Sequence, residues 1–175
     1  MSELTKEKFQ TPAKVKSILI AIAAISTVVS AAGFYFDPDR AWPNLLIAAY
    51  YFTTLGLSGF LFIAIQFVTK AGWSTVFRRV PETITTAIIP GALLMAMVLW
   101  GVPNLYEWSH TETEFFSHQV SGSGQWLNRP FFIFRTLVYF AIWIGLGRGL
   151  IKNSHLQDES GDIALSHKNL VRSAI

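Results

Sequence analysis

Apolar residues in this chain gather into four long runs, over 17–36, 45–68, 83–102 and 131–151, instead of recurring at one face of a soluble helix. About 20 consecutive apolar residues in helical form cross a bilayer hydrocarbon core, so each run predicts a transmembrane helix. No residue of the first three runs is ionisable at neutral pH. The fourth carries Arg135 and, near its end, Arg148. The first run is too long for a signal peptide and lacks a clear small-x-small cleavage site before polar sequence. A soluble bundle with buried helices would need far more polar surface than this pattern leaves. The expected fold is therefore an all-α membrane protein, a four-helix transmembrane bundle. A segment 1–16 precedes it, the transmembrane domain covers 17–151, and a tail covers 152–175.

The basic residues orient the helices. Lys6, Lys8, Lys14 and Lys16 precede the first run, Lys70, Arg78 and Arg79 separate the second from the third, and Arg148, Lys152, Lys168 and Arg172 lie at or after the end of the fourth. The other two connections offer only Arg40 and Arg129. Lys and Arg favour the cytoplasmic side, so both termini are expected there and both sparse loops outside. Trp42, Trp73, Trp100, Tyr106, Trp108 and Trp126 fall at run ends, where aromatic belts sit.

The connections differ in kind. The first outer loop is read as 37–44, with Pro38 and Pro43 ending or starting helices. The inner stretch 71–77 is semi-apolar and expected to lie along the interface. Pro81 suits a first helical turn and Glu82 its positive end. Pro90 takes away the amide that would bond the Thr86 carbonyl, which predicts a kink. The outer loop 103–130 is long, acidic and aromatic, and a loop of that length usually has a task. Docking of an extrinsic partner is the expected one, through Tyr106, Glu107, Trp108 and His110.

Composition removes several chemistries. The chain has 175 residues, a formal charge of +3 and no cysteine. That charge is too small and divided to suggest nucleic acid as a partner. Without cysteine there are no thiolate metal sites, iron–sulfur clusters or thioether-linked haem. Membrane haem b needs imidazoles within the bilayer, yet His110, His118, His155 and His167 all fall outside the runs. A metal site from His110, His118, Glu112 and Glu114 is conceivable, although acidic loops with two histidines are more often simply solvated. No cofactor or metal is expected within this chain, though a quinone could visit its surface.

Arg135 stands out because a charge inside a membrane helix is costly and by default functional. Tyr139 and Trp143 follow at i+4 and i+8, so the three share a face. Either this face joins an interior polar network, extended by Tyr50 and Tyr51, or Arg135 snorkels toward headgroups or outer-loop acids. Thr53, Thr54, Thr85, Thr86 and Gln66 could extend such a polar chain, or bond to their own helices. Gly56, Gly59, Gly91, Gly145 and Gly149 lie at helix-contact spacings and are read as packing residues.

Three segments together resemble a family: Asp37-Pro38-Asp39-Arg40-Ala41-Trp42-Pro43-Asn44, then Ala71-Gly72-Trp73-Ser74-Thr75-Val76-Phe77-Arg78-Arg79-Val80-Pro81-Glu82, then Leu127-Asn128-Arg129-Pro130-Phe131-Phe132 with Arg135. Their order and spacing are similar to the F subunit of alternative complex III, an NrfD-like (polysulfide-reductase-like) membrane protein of a bacterial quinol:cytochrome c oxidoreductase. The resemblance implies an inner-membrane complex with a second NrfD-like membrane subunit, an iron–sulfur subunit and a multihaem cytochrome c as partners, those extrinsic partners carrying the haems and clusters. It leaves open whether this chain binds quinone or conducts protons. Such proteins usually have about ten helices, so the tail 152–175 is expected to lead to a fifth helix. A reading without redox function, as a four-helix membrane anchor or small transporter, stands beside this one.

Overall fold

The structure is a computed structural model that describes residues 11–109, 126, 128–160 and 163–174. Among these the chain is helical and has no strand. It divides into two compact units, Met1–Ala41 and Trp42–Ile175. Four helical stretches are long and apolar enough to cross a membrane: Ala13–Phe36, Pro38–Val68, Arg79–Trp100 and Arg129–Asp158. This is the make-up of a multi-pass membrane protein.

Helix α1 (Ala13–Phe36) follows Pro12 and buries none of its residues. Ile18, Leu19, Ile22, Ile25, Val28 and Val29 are all more than half exposed. Such a surface is untenable in water over this length but matches a hydrocarbon solvent. Asp37 alone separates α1 from α2 (Pro38–Val68). The expected outer loop 37–44 is thus mostly helix. Asp37 starts α2 by accepting the Arg40 amide on Oδ1 at 3.3 Å and the Ala41 amide on its carbonyl at 3.0 Å. Pro38 at the first helical position has no amide to leave unsatisfied. Pro43 lies inside the helix.

The third crossing is two helices, α3 (Arg79–Thr85) and α4 (Ile88–Trp100). The expected kink at Pro90 is resolved as a tightened turn. The Thr86 and Ala87 amides bond three residues back, to Thr83 and Ile84, and the Ile89 amide takes the Thr86 carbonyl at 3.1 Å. That carbonyl, deprived of the amide Pro90 lacks, is satisfied by a 3₁₀-type bond instead. Thr85 and Thr86 reinforce the turn, donating to the Pro81 and Thr83 carbonyls at 2.8 and 2.6 Å.

Glycines set the approach of α2 to this broken helix. A Cβ on Gly59 would stand 2.7 Å from the Pro81 carbonyl oxygen and 2.8 Å from the Thr85 amide. One on Gly91 would stand 2.8 Å from both the amide and the hydroxyl of Thr53. Without side chains the backbones touch, which is how helices associate where no hydrophobic drive exists between them. Beyond α4 come α5 (Val102–Leu105) and a short turn, Glu107–Ser109.

Helix α6 (Arg129–Ser160) has 32 residues. At about 1.5 Å per residue it outruns the bilayer core of roughly 30 Å. It therefore continues past the expected end at residue 151, because no proline or glycine interrupts residues 150–160. Helix α7 (Ile163–Ser173) follows and packs back on α6. Asn153 donates to Asn169 Oδ1 at 2.9 Å, and Asn169 Nδ2 donates to the Leu150 carbonyl at 3.3 Å. Asn169 and Ser154 are fully buried.

Candidate functional site

The residues singled out in the sequence fall at different places on the second unit. Arg135 rises from the first turns of α6, half-buried among aromatic rings. Its guanidinium lies over Trp126 at 5.1 Å and over Phe131 and Phe132 at 5.6 Å each. A weakly hydrated, planar cation is well suited to ring faces, which offset part of the cost of holding it there.

Phe132 links this arginine to the expected docking residues. Its ring meets Tyr106 at 5.9 Å and Trp108 at 5.5 Å, both edge-on, and Tyr106 meets Trp108 at 5.4 Å. The chain enters this cluster through a fixed turn. The Tyr106 amide bonds the Val102 carbonyl at 3.0 Å, and the Ser109 amide and hydroxyl both bond the Tyr106 carbonyl, at 3.0 and 2.7 Å. Burial raises the Tyr106 phenol above its ordinary value. Glu107 opens the short turn next to these rings. His110, and with it Glu112, Glu114 and His118, lies outside the described residues. Two residues treated separately in the sequence, Arg135 and Tyr106, are thus two sides of one aromatic end.

Tyr139 stacks on Trp143 at 5.9 Å, as the i+4 spacing predicts, yet it is 46% exposed. Tyr50 and Tyr51 are exposed on α2. Thr53 and Thr54 donate to carbonyls of their own helix, at Ala49 and Tyr50, as do Thr85 and Thr86 in theirs.

The opposite end of the unit holds an ion-pair cluster that sequence spacing did not reveal. Glu82, 4% exposed, receives Arg79 at 2.5 Å and faces Arg78 at 3.8 Å. Both arginines also reach Asp158 on α6, Arg78 at 3.3 Å. Arg79 Nη1 lies 3.2 Å from His155 Nε2. The only hint in the sequence is i,i+3 and i,i+4 spacing from Arg79 and Arg78 to Glu82. Nothing local relates these residues to Asp158.

Beside the cluster is a cavity of about 440 Å³, lined by Phe62, Ile63, Gln66, Phe67, Lys70 and Arg78 among others. It lies where α2 ends and α3 begins. Of the predicted packing glycines, Gly56, Gly59 and Gly91 leave no room for a Cβ against facing backbone, and a Cβ on Gly149 would stand 2.7 Å from the Arg172 guanidinium. A Cβ on Gly145 would meet nothing within 4 Å, and one on Gly147, which spacing did not single out, would stand 3.3 Å from the Thr85 methyl.

Among the described residues no group of three or more His, Cys, Asp or Glu could hold a metal ion. No protein-family model matches the chain, and no curated protein matches it.

Proposed function

We propose that this chain is a membrane subunit of a bacterial quinol:cytochrome c oxidoreductase of the alternative complex III type. The observation that carries the reading is the resemblance of three segments, 37–44, 71–82 and 127–132 with Arg135, in order and spacing. In this reading the chain sits in the inner membrane with both termini cytoplasmic. The ion-pair cluster of Arg78, Arg79 and Glu82 then faces the cytoplasm, as the Lys and Arg distribution favours. The aromatic end faces outward, beneath the iron–sulfur and multihaem cytochrome partners.

The chain brings no electron carrier of its own in this proposal. It is a scaffold beside the second NrfD-like subunit, with a role in proton conduction or quinone association. The Arg135 guanidinium acts by setting the electrostatics of water or a neighbouring acid. Tyr139, half-open beside Trp143, supplies the next hydroxyl on that face. The exposed Tyr50 and Tyr51 would meet lipid or another subunit.

Purification of the tagged full chain in mild detergent tests the assignment. The expected result is co-elution of haem-containing and iron–sulfur polypeptides in fixed ratio. Recovery of the chain alone, from membranes that do contain those polypeptides, would favour the anchor or transporter reading. Covalent labelling should then find Tyr106 and Trp108 protected in the complex and open in the isolated chain.

A further inference from the structure

The cavity near the end of α2 combines two kinds of surface. Phe62, Ile63 and Phe67 give it apolar walls, and Lys70 and Arg78 line it with positive charge. At about 440 Å³ it is within the size range of small-ligand sites. The Arg78 guanidinium rests over the Phe67 ring at 5.8 Å. Its charge is partly answered by Glu82 and Asp158. Lys70 has no ion pair with any carboxylate among the described residues. The Oε1 of Gln66 is buried and has no hydrogen-bond partner there either.

The backbone at Lys70 is a second observation. Helix α2 closes with the Lys70 amide on the Phe67 carbonyl at 3.3 Å and the Ala71 amide on the Gln66 carbonyl at 3.1 Å. This is a Schellman closure, whose left-handed residue is usually glycine. Here that residue is Lys70, with φ 51, the one non-glycine positive φ among the described residues. A lysine stands here at a position that favours glycine, against local conformational preference, which points to a use for its side chain.

Depth in the membrane selects the ligand. The apolar stretch of α2 ends at Val68, and Trp73 and Val76 on the following turn are 66% and 92% exposed. An aromatic and apolar turn beside basic residues marks the headgroup region. A cavity there that combines apolar and cationic lining with polar groups such as Gln66, Ser74 and His167 fits an amphiphile with an anionic head. A small soluble anion would gain nothing from the phenylalanine walls.

We propose that this cavity binds an anionic phospholipid, its phosphate held by Lys70 and Arg78 and the start of an acyl chain laid on Phe62, Ile63 and Phe67. The inference rests on the membrane-spanning helices and the cavity, not on the complex proposed above. Native mass spectrometry of the detergent-purified full chain, titrated with phosphatidylglycerol, phosphatidylcholine or inorganic phosphate, tests it. Phosphatidylglycerol should be retained in preference to phosphatidylcholine, and inorganic phosphate should not displace it. Lys70→Gly should lower that retention about fivefold, the effect of one cation near an anionic headgroup. The same variant should leave thermal stability in lipid-free detergent equal or higher, because glycine suits the backbone there. Gly72 also lines the cavity, and a Cβ on it meets nothing within 4 Å, so Gly72→Leu tests the space without changing charge and should also lower retention. Equal retention of the two lipids, displacement by inorganic phosphate at equal concentration, or unchanged retention in both variants would overturn the proposal.

Discussion

Asn153 on α6 and Asn169 on α7 hold each other by a buried side-chain hydrogen bond of 2.9 Å. The second amide hydrogen-bonding site of Asn169 reaches the Leu150 carbonyl, so one fully buried side chain answers two groups on the facing helix. This polar clasp keeps α7 folded against α6.

Asn169→Leu should free α7. It strands the Asn153 amide in a buried place, which costs about 1–3 kcal/mol. Hydrogen exchange of the amides over 163–173 should rise by one to two orders of magnitude, the factor that energy implies, while α2 stays protected. Unchanged exchange in α7 would show that apolar contacts alone hold the hairpin.

Glycine substitutions should divide sharply by position. Gly59→Val pushes a side chain onto the Pro81 carbonyl and the Thr85 amide, and overpacking of this kind costs about 1–3 kcal/mol. Gly145→Ala meets open space and should be neutral or slightly stabilising, because alanine is the better helix former. Thermal unfolding in one detergent compares the two. Equal melting temperatures would mean that α2 and α3 are not in close contact.

The two acids of the ion-pair cluster should respond unequally. Glu82 is 4% exposed and faces two arginines, whereas the Asp158 side chain is 46% exposed. Breaking a buried pair is costly, at about 3–5 kcal/mol, while a solvent-open pair is worth about 0–1 kcal/mol. Glu82→Gln should therefore lower the melting temperature far more than Asp158→Asn. The reverse order would relocate the anchor of α3 to its contact with α6.

Arg135→Leu should keep the aromatic end assembled, since Tyr106, Trp108 and Phe132 contact one another without it. In the proposed complex, quinol oxidation should continue with impaired proton release. Wild-type proton release in an assembled Leu variant would reduce Arg135 to a cation resting on rings at the interface. Failure to assemble would make it structural.

Reporter fusions after Ser121 and after Ser173 check the orientation. The first should report the outer side and the second the cytoplasm. A cytoplasmic signal after Ser121 would invert the assignment of both ends.

The four crossings were legible in the sequence because bilayer thickness acts on any one run by itself. The break in the third crossing was legible too, since Pro90 removes a particular hydrogen bond. So was the pairing of Tyr139 with Trp143, which follows from helical period. The loop expected at 37–44 was misread because prolines near a helix start are compatible with helix when, as at Pro38, no amide is required. The end of α6 was misjudged because apolarity marks where a span leaves lipid, not where helical hydrogen bonding stops.

What the sequence determined by itself is the set of properties that depend on one segment and its solvent: length, apolarity, helical phase and the bias of basic residues. Only the tertiary structure decided which residues meet. Arg79 reaches Asp158, Phe132 joins Arg135 to Tyr106, Asn169 turns inward, and Lys70 and Arg78 come to line one cavity with Phe62. The physical reason is that these contacts depend on how distant helices approach, which glycines such as Gly59 and Gly91 allow but whose partners no local pattern names. A side chain's neighbours along the chain set its conformation, and its neighbours across helices set its chemistry.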